Sequence, residues 1–453
     1  FHPLIRMPVP KNVAIVWAQY GPYHFARMSA LRKMAGSARV HAVEVANQTS
    51  VYEWTRSPDT AELITLCPGT VFETLSFWKV FARTRRVFKK LNLDVCILPG
   101  YAPKQVLGVL LAAKSLRMRT VMMNESHAGT ARAGGLRKIA KRQLMGMFNS
   151  ALVGGQPQKR YAASFGVPRE KIFIGYDAVD NDYFSTRAAA ARSRASEWRA
   201  KFELPEHYFL SLGRFVGKKN LATVIRAYRI FLNANPATRT HLVMVGSGEE
   251  DAALRNLCRE LHLPVYEKAK SGTSSETGGQ PRKEDAPGVH FYGFRQISDN
   301  PIFYALASAF VLPSLWEEWG LVVNEAMASG LPVIVSETAG CAEDLLPPGK
   351  PAVPLRLSES LHACWAQLAG RIRQNGFVFN PHSAQSLANA LTLFESVPGL
   401  RQQMGEASRA IIEKYSCGNF ARNALAAVGA AVGNSPAPSP SEAEALLASK
   451  VNQ

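Results

Sequence analysis

Pro313–Leu346 reads PSLWEEWGLVVNEAMASGLPVIVSETAGCAEDLL, and its punctuation decides the fold. An apolar run, Ala309–Leu312, ends at Pro313, and a loop then carries Glu317 and Glu318. A helix is expected to open near Gly320 and close at Gly330, and Pro332 starts the next apolar run, Pro332–Val335. A glycine after the last helical residue, with proline two residues on, is a helix stop. Strand, helix and strand in this order make a βα unit of a parallel sheet.

The same unit repeats in both directions. Upstream, short β-branched runs at Val13–Ala18, Val40–Val45, Asp94–Leu98, Thr120–Asn124, Ala151–Val153 and Lys171–Ile174 alternate with amphipathic stretches. After about residue 185 an Ala/Arg-rich connector intervenes. The alternation then restarts at Tyr208–Leu212, His241–Val245, Val289–Tyr292, Ala309–Leu312, Pro332–Val335 and Gly376–Phe379. The expected fold class is therefore α/β, with two doubly wound Rossmann-like domains. Two segments break the pattern: Lys268–Pro287, polar and Gly/Ser-rich, reads as a mobile surface insertion, and Pro347–Gln374 as a Pro-rich turn followed by an extra helix. No internal repeat at solenoid periods is found.

Composition narrows the function classes. At 453 residues with 47% apolar and 19% charged residues, the chain can build two or three buried cores and is not disordered at large. Its longest apolar runs, such as Val106–Ala113, are too short to span a bilayer. The six cysteines are scattered, with no Cys-x-x-Cys and no metal-ligand spacing, and read as reduced thiols of a cytosolic protein. No secretory signal is visible, although the chain opens on Phe1, so a removed upstream segment stays open as an expectation. The net charge of +18 favours polyanionic partners: phosphates, anionic lipid or nucleic acid.

Two stretches carry candidate chemistry. The helix expected at Gly320 would expose unpaired N–H groups and the positive end of its dipole next to a residue without a side chain, which suits a diphosphate. Glu317 before it and Glu325 within it can face one cleft and accept hydrogen bonds from sugar hydroxyls. Alternatively, Glu317 and Glu318 are merely favourable charges near a helix start. The second stretch, LSLGRFVGKKN at 210–220, lies where the first strand of the second domain runs out, the place where such sheets bind ligands. Arg214 and Lys219 would put two cations there, or form a solvated basic loop.

SLGRFVGKK followed about a hundred residues later by EEWGLVVNEAMASGLPVI resembles the family-4 retaining glycosyltransferases of the GT-B fold (glycosyl transferases group 1), marked by two glutamates seven residues apart. VPREKIFIGYDAVDNDYF, VHFYGF and GFVFNPHSAQSLANAL extend the resemblance over both domains. It implies an acceptor domain over 1–185, a nucleotide-sugar donor domain over 186–415 facing it across a cleft, a C-terminal helix over 416–433 packing back on the first domain, and a flexible tail over 434–453. On that resemblance Arg214 and Lys219, beside Gly213, neutralise the donor diphosphate, Glu325 holds the ribose hydroxyls, and Glu317 orients the donor sugar. The Trp319, Gly320 and Leu321 amides meet a phosphate or a sugar hydroxyl, and Phe294 and Arg295 meet the base. His127 in MMNESHAG stands where the family carries a histidine facing the donor sugar; as a lone histidine after a strand it could equally be a polar loop residue. Gly21 opens the first helix under the acceptor with Tyr23, His24 and Arg27, unless these only form a tight strand-to-helix turn.

The chain departs from the family pattern at three places: Gly21-Pro22 stands for Gly-Gly, Asp177-Ala178 for Asn-Gly, and Ala339-Gly340 for a glycine pair. None removes a charged donor contact. The implied reaction retains anomeric configuration, uses no metal or other cofactor, and takes a UDP-sugar first or a GDP-sugar second, with a saccharide, lipid-linked or small-molecule hydroxyl acceptor. The one Asp-x-Asp lookalike, Asp180-Asn181-Asp182, falls at the end of the first domain. Basic amphipathic stretches at Phe77–Leu91 and Gly135–Phe148 fit either contact with anionic membrane on the cytoplasmic side or ordinary sheet-packing helices with solvated faces. Rival readings are a nucleotide-sugar hydrolase or epimerase of the same fold, and a basic binding protein for nucleic acid or membrane. A specific nucleic-acid partner is not expected, because the positive residues lack an aromatic-interleaved motif. Val245-Gly246-Ser247-Gly248 supplies only two of the three glycines of a dinucleotide oxidoreductase.

Overall fold

The strand Asn12–Trp17 is buried over five of its six residues, as expected for a parallel strand covered on both faces. In the computed structural model, which describes residues 12–36, 38–50, 62–130, 135–267, 286–349, 358–397 and 399–433, this strand, β1, lies inside the first of two sheets. The others are β2 (Arg39–Gln48), β3 (Leu63–Val71), β4 (Val95–Leu98), β5 (Arg119–Asn124), β6 (Ser150–Val153) and β7 (Ile172–Ile174). Their order is β3-β2-β1-β4-β5-β6-β7, every pair parallel.

The second sheet holds β8 (Tyr208–Leu212), β9 (His241–Val245), β10 (Val265–Glu267), β11 (Val289–Phe291), β12 (Ala309–Leu312), β13 (Val333–Ser336), β14 (Ile372–Arg373) and β15 (Gly376–Phe379). Their order is β10-β11-β9-β8-β12-β13-β15-β14, parallel except for the short β14. Three strands escape the sequence reading, β3, β10 and β14, and all three are sheet edges. Their residues are half exposed, and β3 carries Pro68-Gly69, which a central strand would not tolerate. Most of the expected insertion at Lys268–Pro287, part of the stretch from Pro347 to Gln374, and the tail from Asn434 lie outside the described residues.

Each sheet is covered on both faces. One face of the first packs the helices Phe77–Leu91, Lys104–Ser115 and Gln156–Ser164; the other packs Pro22–Ala35 and Cys417–Ala431. The last of these is the C-terminal helix returning to the first sheet: Phe420, Ala421, Ala424, Ala427 and Val428 recur at helical spacing and join the core of β1 and β4. The Ser150 hydroxyl in β6 donates to the Ala427 carbonyl at 2.6 Å. The carboxyl ends of both sets of strands open on one cleft, as strand polarity requires.

Candidate active site

The cleft encloses about 710 Å³, within the range of small-molecule sites. Arg214, Lys218, Lys219, Glu317, Glu318 and Glu325 line it from the second sheet, and Trp17, Tyr23, His24, Arg27 and Glu125 from the first. Gly213, Phe294, Arg295, Trp319, Gly320 and Leu321 also border it, so the expected donor-side residues converge.

Local sequence explains the placement. The basic loop after β8 is anchored by the buried Phe215 and closed by a 3-10 turn, Gly217–Lys219. Asn220 takes up φ 54° and donates its amide to the Pro313 carbonyl at 3.1 Å and to the Pro381 carbonyl at 2.8 Å, tying the basic loop to the end of β12. The two glycines that suggested a dinucleotide site serve this packing. A Cβ on Gly246 would stand 1.8 Å from the Gly213 carbonyl oxygen, and Gly248 lies against the Phe215 backbone. At the helix Leu321–Ala328, Gly320 has φ 107°, a left-handed conformation that only glycine adopts cheaply.

The two glutamates differ in surroundings. Glu317, 7% exposed, accepts from the Ser314 hydroxyl at 3.1 Å and pairs with the Lys219 ammonium. Lys218 stands 3.7 Å from Glu317 and 2.9 Å from Glu318. Burial works against the charge of Lys218, but the two glutamates outweigh it and hold its ammonium above the usual lysine range. Burial would likewise raise the Glu318 carboxyl, and the Lys218 contact overrides it, leaving it below the usual range.

Glu325 is fully buried and receives three donors: Tyr23 Oη on Oε1 at 2.5 Å, and Asn300 Nδ2 and Tyr304 Oη on Oε2, each at 3.2 Å. Burial still dominates, so its pKa rises to about 7. Asn300 and Tyr304 are missed by the sequence reading, although the available signal is a polar pair at i,i+4 in the otherwise apolar helix Asn300–Leu306.

Three of the expected residues make contacts that the expectation did not include. His127 does not face the open cleft: it is 7% exposed, Nδ1 accepts from Gly129 N at 3.2 Å, and Nε2 lies 2.9 Å from the Glu317 carbonyl. A carbonyl only accepts, so Nε2 carries the proton, and His127 braces the backbone of Glu317. Tyr23, expected on the acceptor side, reaches across to Glu325. His24 accepts from Gly21 N at 2.9 Å and stacks on Trp17; burial drives its pKa down to about 3, so it is a neutral helix cap. Asp180 caps the helix Asn181–Ser193 by accepting from Tyr183 N, which gives the Asp-x-Asp lookalike a structural role.

Beside the cleft the two halves are bolted together. Asp344 accepts from Gln156 N at 2.9 Å, capping a first-sheet helix from the second-sheet side, while Arg160 forks onto Glu343. Gln158 Nε2 donates to the Glu318 carbonyl at 2.8 Å, and Asn324 Nδ2 to the Asp177 carbonyl at 3.0 Å.

Residues 206–394 match the family model described as Glycosyl transferases group 1. An uncharacterized glycosyltransferase of Methanocaldococcus jannaschii is 24% identical over 262 residues, 58% of this chain and 54% of that protein. The chain spans about half the length of the curated relatives it matches. Among solved structures, a glycosyltransferase from Rickettsia africae aligns with a TM-score of 0.65 at 14% identity, covering 94% of this chain and 100% of that one. The Anabaena protein HepE in complex with UDP-glucose aligns at 0.62 and 15%, covering 92% and 98%. At these identities the structural likeness establishes the fold, two facing α/β domains of the GT-B kind. The match to the Glycosyl transferases group 1 model covers residues 206–394, the second domain.

Proposed function

We propose that the protein is a retaining glycosyltransferase that moves a hexose from a nucleotide-diphosphate sugar, a UDP-sugar first and a GDP-sugar second, to a hydroxyl acceptor in glycan or glycoconjugate synthesis. One observation carries the reading: a single cleft brings Glu317, Glu325 and the Arg214–Lys219 loop to one helix N-terminus. In the reaction the acceptor oxygen bonds to the anomeric carbon on the face the diphosphate leaves. The bond from that carbon to the phosphate oxygen breaks with its electron pair on the oxygen, and the acceptor proton passes to the same oxygen.

Arg214, Lys218 and Lys219, with the amides at Gly320 and Leu321, stabilise the departing charge, a task that needs no metal in this arrangement. The lysines exchange their Glu317 and Glu318 partners for phosphate as the donor enters. Glu317 then orients the sugar, Glu325 holds the ribose, and Phe294 and Arg295 border the base. HepE was solved with UDP-glucose, which supports UDP as the first donor to try.

The acceptor is further read as membrane-linked, with the protein held peripherally. The helix Phe77–Leu91 buries Val80 and Phe88 against its sheet but exposes Trp78 at 73%, and the same helix exposes Lys79, Arg83 and Arg86. Ile139 is exposed among Arg137, Lys138 and Arg142. An apolar tip within a basic face suits an anionic bilayer. Among the described residues no helix is long and apolar enough to cross one.

The test is nucleotide release from UDP-glucose and GDP-mannose in EDTA, with the product's anomeric configuration read by NMR. Retention without added metal is the expected result. Inversion, or activity that EDTA abolishes and magnesium restores, would overturn those parts of the reading, and turnover indifferent to any acceptor would indicate a hydrolase.

A further inference from the structure

The roles above leave one cluster of ionisable groups in the cleft without a task. Glu125, on the loop after β5, lines the first-domain half of the cavity and is half-buried. Asp177, in the turn after β7, touches it from behind and is fully buried. Among the described residues no fixed donor reaches either Asp177 carboxyl oxygen. The charged groups facing the pair come from three sides. Arg27, 1% exposed, approaches from the first helix, its Nε donating to the Ala178 carbonyl at 2.8 Å and its guanidinium 4.9 Å from the Tyr176 ring centre. Glu317 and Glu318 face it across the cleft, and Tyr176 and Cys341 stand near Asp177.

Two touching carboxyls with a single nearby cation, Arg27, do not both ionise readily, so the pair keeps one proton. Burial pushes Asp177 well above its ordinary range and raises Glu125 as well. The deeper Asp177 therefore holds the proton and donates it to Glu125, which lines the cavity as the carboxylate of the pair. Sequence adds a second observation: Asp177 stands where the family pattern has asparagine. An asparagine there would donate an N–H at every pH, whereas aspartic acid donates only while the shared proton stays.

We propose that Glu125 is the hydrogen-bond acceptor for an acceptor hydroxyl in the first-domain half of the cleft, and that Asp177 is its positioning residue. The class of acceptor it takes presents an uncharged hydroxyl at that point, since a carboxylate accepts from O–H and repels phosphate. This rests on the transferase reading.

Glu125→Gln and Asp177→Asn are tested beside Glu325→Gln in the full-length protein. Calorimetric affinity for UDP and GDP should match wild type in the first two and fall in the third. Nucleotide release from UDP-glucose and GDP-mannose, with methyl glucoside and methyl mannoside as probe acceptors, should drop about tenfold or more in Glu125→Gln, the scale of a lost hydrogen bond to a charged group. The wild-type pH profile should be bell-shaped, and Asp177→Asn should lose its alkaline limb; a purely structural residue would scale the whole profile. The infrared difference between wild type and Asp177→Asn near neutral pH should contain a protonated carboxyl band present only in wild type, over and above those of Glu325 and Asp344 that both proteins share. Absence of that band in wild type, or unchanged limbs in the variant, overturns the proposal whether or not turnover is fast. Glu325→Gln binding nucleotide normally would instead indict the donor-site reading.

Discussion

Replacing Glu325 by glutamine is predicted to stabilise the ligand-free protein near pH 8 and to do much less at about pH 5. The carboxyl rises from an ordinary 4.5 to about 7 in the folded protein because burial opposes its charge. The folded state therefore holds this proton more tightly than the unfolded chain, and stability falls as pH rises through that window and levels off above it. At 1.36 kcal/mol per tenfold change in proton affinity, the loss comes to about 3 kcal/mol. Glutamine keeps the shape and the hydrogen bonds: its oxygen takes Asn300 and Tyr304, and its amide donates to Tyr23, whose hydroxyl turns to accept. Thermal melts of both proteins at the two pH values read the difference, expected as several degrees at the higher pH. An equal shift at both, or destabilisation near pH 8, would refute the reasoning that the cleft holds an unfavourable charge ready for a ligand.

Other consequences are as direct. Lys219→Ala removes a cation from the departing diphosphate and should lower kcat about 10² to 10³-fold, the scale of a lost oxyanion donor, in a nucleotide-release assay; a change below about tenfold would place the charge stabilisation elsewhere. Gly155→Ala puts a Cβ 2.1 Å from Asp344 Oδ2 and 2.8 Å from the Trp319 ring. It should hold the halves apart, increase the radius measured by small-angle scattering and depress activity, and unchanged scattering would count against the bolt. Flotation with vesicles rich in anionic lipid should carry the protein at low salt and less of it after Trp78→Ala; failure of wild type to float argues against the peripheral reading.

Much of this was legible in the residues. Parallel core strands announce themselves as short apolar runs because both faces are covered, and the helix stop at Gly330 and Pro332 fixed where Glu317 and Glu325 would meet. Three of the four edge strands, β3, β10 and β14, stayed hidden because half-exposed residues and, in β3, a Pro-Gly pair carry no alternation to read. The contacts of His127 and Tyr23 were hidden for another reason: each bonds a residue 190 or 302 positions away, and no local pattern encodes a partner across a cleft. Asp177 was visible as a departure from the family pattern, but its pairing with Glu125 emerges only when the turn after β7 lies beside the loop after β5.

The measurement that bears most directly on the central claim is a thermal-shift panel of UDP, GDP, ADP, TDP and CMP on wild type and on Glu325→Ala. Ligand at about a hundred times its dissociation constant stabilises by roughly 2.7 kcal/mol, enough to see clearly. One nucleoside diphosphate should shift wild type by several degrees and leave the variant's own melting point unmoved. If no nucleotide shifts wild type, the cleft is not a nucleotide-sugar site, and the basic surface, not the cleft, becomes the place to look for function.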